Sequence, residues 1–82
     1  MHYQTIFNRL RRIEGQIRGI EDMLDKNKPE KEILIQLEAA KSSLASTIST
    51  FVELLIIKNR DEDGNVVLGE DEITIINRFI KK

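Results

Sequence analysis

Apolar residues near the start of the chain fall at Ile6, Leu10, Ile13, Ile17, Ile20 and Leu24, in alternating steps of four and three. That period predicts an amphipathic helix from Tyr3 to Lys26. Asn27 and Lys28 lead into Pro29, whose fixed φ and missing N–H suit the first position of a new helix. Glu30 and Glu32 then complement the positive end of its dipole. The second helix is predicted from Pro29 to Lys58, with a stripe at Ile33, Leu37, Ala40, Leu44, Ile48, Phe51 and Leu55. No glycine or proline interrupts it, and at 1.5 Å per residue it is about 45 Å long. Leu54, Leu55, Ile56 and Ile57 form a continuous apolar run that covers every side of the helix, which predicts burial on more than one face.

After Asn59 the pattern breaks into RDEDGNVVLGED, an acidic loop punctuated by glycine. A short third helix follows, with Ile73, Ile76 and Ile80 on one side and Ile75 and Phe79 beside them. The expected fold is all-α, three helices in one domain over residues 1–82. The third helix is long enough to cover only about a third of the seam between the first two. A second hairpin would cover the rest, so the lengths point to self-association as a four-helix bundle.

Composition narrows the function. The chain of 82 residues has no cysteine. That excludes a disulfide scaffold, a zinc ribbon, a thiolate metal site and a reactive thiol. The first residues, MHYQTIFNRLRR, lack the apolar core of a signal peptide, and no run of about 18 apolar residues suggests a membrane span. The expectation is a cytoplasmic protein with no membrane partner. No nucleophile–base signature, phosphate-binding glycine loop or cofactor motif is present, so no enzyme is expected.

The formal net charge of −1 conceals an asymmetry. Residues 1–20 carry Arg9, Arg11, Arg12 and Arg18 against Glu14 alone. Residues 60–72 carry Asp61, Glu62, Asp63, Glu70, Asp71 and Glu72 against Arg60. Arginine's planar fork suits phosphate. From charge alone, a solvated face with salt bridges, to Glu14 or Glu21 for example, is the favoured reading. Gly15 and Gly19, one turn apart, remove bulk from one side of the first helix. They admit another helix or a nucleic-acid backbone, and close helix packing is the simpler reading. In the acidic loop, Asn59, Asp61, Asp63, Gly64, Val66 and Glu70 fall at positions 1, 3, 5, 6, 8 and 12 of a calcium-binding loop pattern. This supplies an alternative, a helical interaction module with a calcium-binding loop at 59–70 and no DNA binding.

NRLRRIEGQIRGIEDML, followed by ILIQLEAAKSSL, resembles the copper-sensitive operon repressor family with its nickel/cobalt and formaldehyde-responsive relatives, the metal-sensitive transcriptional repressors. The family pattern is a basic "NRLxRIxGQxxGI" helix, a short turn, then "ILxQIxAxxxxL", and the resemblance runs from Phe7 to Asn59. It implies a dimeric antiparallel bundle that pairs into a homotetramer and binds operator DNA through a basic surface. The matching positions are Arg9, Arg11, Arg12, Arg18 and Lys41. The family's sensor ligands, a cysteine, a histidine and often a second cysteine, fall here on Glu30, Leu55 and Asn59. The resemblance therefore implies a repressor whose usual copper site is altered or absent. Nickel-type relatives use ligands near the N-terminus, which makes His2 a candidate ligand for a divalent metal. No other cofactor is implied.

Overall fold

The computed structural model describes residues 3–80, the side chain of Ile80 excepted. It is all-α, with helices α1 (Gln4–Asp25), α2 (Glu30–Lys58) and α3 (Glu70–Ile80). α1 and α2 lie within a residue of the expected bounds at each end, and α3 follows the acidic loop as the expected short helix. By its contacts the chain divides into two compact units, Met1–Phe51 and Val52–Lys82.

In the first unit, α1 and the greater part of α2 form a hairpin. The turn is closed by helix-end chemistry. The Lys28 N–H donates to Met23 O at 2.9 Å and the Asn27 N–H to Leu24 O at 3.2 Å, while Asn27 sits at φ 52°. These are the paired bonds of a Schellman motif, with asparagine taking the left-handed position usually given to glycine. Pro29 follows as the residue just before α2 rather than as its expected first helical position, its carbonyl accepting from the Glu32 and Ile33 N–H groups at 3.0 and 3.2 Å. Asparagine tolerates this conformation and a β-branched side chain does not. Asn27→Val is thus expected to cost about 1–2 kcal/mol. Thermal unfolding at fixed protein concentration checks this, and an unchanged midpoint would contradict it.

The α1 stripe divides into two rows seven residues apart. Ile6, Ile13 and Ile20 are buried, at 6–8% exposure, and pack into the hairpin with Ile33. Leu10, Ile17 and Leu24 are 41–58% exposed. On α2, Leu37, Leu44 and Phe51 form a similar open row at 38–48%. Tyr3 and Phe51 meet with ring centroids 5.2 Å apart, tilted by 35°. Thr47 is the one buried polar side chain among the described residues; its hydroxyl donates to Ser43 O at 2.9 Å and so avoids the cost of an unpaired buried group.

The second unit contains the end of α2, the acidic loop and α3. Leu54, Leu55 and Ile56 are half-buried and Ile57 is exposed, so the expected burial of this run on several faces is not complete within one chain. The loop is organised by Asp61, whose Oδ1 accepts from the Asp63 and Asn65 N–H groups at 3.0 and 2.8 Å, with Gly64 at φ 84°. An isolated antiparallel bridge pairs Arg60 with Val66. Helix α3 opens on Glu70, Asp71 and Glu72 and carries Arg78 in its last turn, which matches the helix dipole at both ends.

By length and composition α2 is also long and apolar enough to cross a bilayer, with an 18-residue window of mean hydropathy 1.3. Alanine, serine and threonine between Ala39 and Thr50 break up the apolar run without lowering the mean far. One such helix is by itself weak evidence for a span; only 6% of that window is buried in one chain.

Candidate nucleic-acid interface

Helical geometry spreads the four arginines of α1 round roughly half its circumference, in the order Arg18, Arg11, Gly15, Gly19, Arg12, Gln16, Arg9. Ile6, Ile13 and Ile20 face the hairpin, so most of this arc faces away from it. Arg11, Arg12 and Arg18 are exposed and Arg9 is half-buried. Among the described residues no carboxylate pairs with any of the four. The ion pair on this helix joins Lys26 to Asp22 at 3.0 Å. The salt bridges to Glu14 or Glu21 that would make this a neutralised solvent face are not formed.

Two of the arginines are held in place by neighbours that leave their charge uncompensated. Arg11 lies over the Phe7 ring, its Cζ 4.9 Å from the centroid, one turn away on the same face. Cation–π stacking of this kind uses the flat face of the guanidinium and leaves its N–H edges outward. Arg9 Nη1 donates to Ser46 Oγ at 3.2 Å across the hairpin. Beside it, Arg12 and Gln16 on α1 face Ser42, Ser43 and Ser46 on α2 around a pocket of about 320 Å³, floored by Ile13 and Thr47.

Lys41 lies elsewhere. It borders a second, apolar groove of about 390 Å³ with Ile17, Ile20, Leu37, Ala40 and Leu44. Within one chain the structure therefore brings Arg9 and Arg12 together, sets Arg11 and Arg18 on the adjoining face, and places Lys41 on a different groove. Gln16 and the three serines escaped the sequence reading. The available signal was the SSLAS run, three hydroxyl residues within five positions of a long helix that otherwise has no need of poor helix formers.

A Cβ added at Gly15 or Gly19 would meet nothing within 4 Å. Close helix packing, the simpler expectation for this pair, is not realised among the described residues. The two glycines instead leave a shallow surface between Arg11, Arg18 and Arg12. Gly15→Ala with Gly19→Ala is expected to stabilise the protein by about 1 kcal/mol per site, since each removes an exposed mid-helix glycine. If the surface admits a nucleic-acid backbone, the same variant loses DNA affinity. Chemical denaturation and DNA titration together check this; a gain in stability with unchanged affinity would contradict it.

The positions matching the family's sensor ligands fall near the two ends of α2. Glu30 is exposed at its first residue; Leu55 and Asn59 are half-buried at its far end. There the Asn59 Nδ2 donates to Leu55 O at 2.8 Å and caps the helix. His2 lies outside the described residues. Among the described residues, no three His, Cys, Asp or Glu side chains converge as a metal-holding group, the acidic loop included.

A protein-family model for metal-sensitive transcriptional repressors matches residues 2–67, which is most of the chain and all of the hairpin. The chain belongs to this family. The family is one of transcriptional repressors, not of enzymes. The chain is also similar to the copper-sensing transcriptional repressor CsoR of Bacillus subtilis (strain 168), with 38% identity over 48 residues covering 58% of this chain. It spans about half of that relative's length, 48%. No solved structure matches the chain.

Proposed function

We propose that this metal-sensor-family protein is a DNA-binding repressor in which residues 1–82 act as one domain, self-assembled as a dimer of dimers, with an altered or absent metal site. Its DNA is operator DNA in the cytoplasm. The observation that carries the reading is the unpaired arginine arc of α1, on the segment that the family model matches. Arg9, Arg11, Arg12 and Arg18 neutralise backbone phosphates and release counterions, and the sequence is read largely through DNA shape.

The open apolar rows support assembly with a second copy. Leu10, Ile17 and Leu24 on α1 and Leu37, Leu44 and Phe51 on α2 are 38–58% exposed in one chain. That is the seam a bundle buries. Lys41 borders the same seam, so it joins the basic surface only if assembly brings a neighbouring chain's arginines beside it.

The donor set argues against copper. Copper(I) prefers thiolates and imidazoles, and the three ligand positions carry a carboxylate, a leucine and an amide already used as a helix cap. Titration of the purified protein, in chelator, against DNA from upstream of its own gene is expected to show binding tighter than to random DNA. Adding copper(I) is expected to leave that affinity unchanged. Equal affinity for random DNA would overturn the repressor reading, and release by stoichiometric copper would overturn the altered site.

A further inference from the structure

We propose that the pocket between Arg9, Arg12, Gln16 and the α2 serines is a seat for one phosphate-type oxyanion, and that a small phosphorylated metabolite held there competes with DNA. The competition rests on the DNA-binding reading above; the anion seat does not.

The pocket's donors are unusually free. Its lining holds two guanidinium groups and no carboxylate. Neither arginine has an ion-pair partner among the described residues, and Arg9 spends one N–H on Ser46. In that bond Ser46 Oγ is the acceptor, so its own proton remains available and is polarised by the charge behind it. Ser42 and Ser43 add hydroxyls on the same side, and Gln16 an amide. Thr47 contributes none, because its proton is committed to Ser43 O. The result is a ring of donors over a floor formed by buried Ile13 and Thr47, at 7% and 4% exposure. An acceptor-only group with several oxygens and more than one negative charge satisfies that ring best, and phosphate is such a group.

Size separates this from a bare phosphate contact. At about 320 Å³ the pocket falls at the lower end of small-molecule sites, which run from roughly 300 to 1,000 Å³. Space remains for the body of a small metabolite beyond its phosphate. The two forks of Arg9 and Arg12 cannot serve a free anion and a DNA phosphate at once, so occupancy by the first lowers affinity for the second. A chain without thiols would thereby keep a means of ligand-driven release.

The test is a titration of the ¹⁵N-labelled full chain with inorganic phosphate, followed by NMR, against sodium acetate and sodium chloride at matched ionic strength. Saturable shifts at Arg9, Arg12 and Ser42–Ser46 with phosphate, absent with chloride and weaker with acetate, are expected. Arg9→Gln is expected to weaken phosphate about tenfold, as for loss of a charge-assisted contact. Ser42→Ala with Ser46→Ala, both exposed helix positions that accept alanine, is expected to erase the preference over acetate. Shifts equal to those with chloride would overturn the seat. In a second arm phosphate is added to the DNA complex at constant ionic strength. Displacement by phosphate and not by chloride supports the competition, and saturation of the seat with DNA still bound overturns it. Phosphate binding by a protein that binds no DNA would leave the seat standing and overturn the repressor reading instead.

Discussion

Replacing Arg9 and Arg12 together by alanine is expected to weaken DNA binding about 100-fold near physiological salt, with the fold unchanged. Each arginine on a phosphate contributes a charge-assisted hydrogen bond, about tenfold in affinity per contact. Each also releases about one counterion, so the log–log salt dependence should become shallower by about two per DNA-contacting chain. The variant is structurally mild. Arg12 is exposed, Arg9 is half-buried with one hydrogen bond to Ser46, and alanine suits a helix interior better than any other residue. Circular dichroism separates a binding defect from a folding one. Unchanged affinity and slope in a folded double variant would remove these residues from the interface.

The second large effect concerns assembly. Leu44 is 45% exposed in one chain and lies on the open row with Leu37 and Phe51, at the edge of the apolar groove. If a second copy covers that row, Leu44→Glu places an unpaired carboxylate inside an apolar seam, at a cost of about 3–5 kcal/mol for each buried copy. Sedimentation is then expected to show a smaller species at micromolar concentration, with reduced helicity. Leu44→Met, close in volume, should retain the assembly. A Leu44→Glu protein with the mass and helicity of the parent would show that this row faces solvent in the assembled state.

Much of this was legible in the sequence, and the limits have physical causes. The three helices follow from apolar periodicity and from the breaks at Asn27–Pro29 and Asn59–Gly69, which depend on neighbouring residues only. The stacking of Arg11 on Phe7 is likewise local, one turn apart. The split of the α1 stripe was not legible. Ile6, Ile13 and Ile20 are chemically equivalent to Leu10 and Ile17, and only the angle at which α2 crosses decides which row closes. The Arg9–Ser46 bond spans 37 positions and depends on the hairpin's register. The same register builds the serine pocket and moves Lys41 away from Arg9 and Arg12. Gly15 and Gly19 show the converse. Their spacing suggested close packing, and the open space beside both turned them into part of the outer surface.

The central claim is that the α1 arginine arc meets the DNA backbone, and the salt dependence of affinity tests it most directly. Binding of the parent protein to its own upstream DNA, measured from about 50 to 200 mM salt, is expected to weaken by several orders of magnitude with a linear log–log slope, as for an interface with six or more phosphate contacts. A flat dependence would contradict the account and return the arginines to the role of a solvated surface.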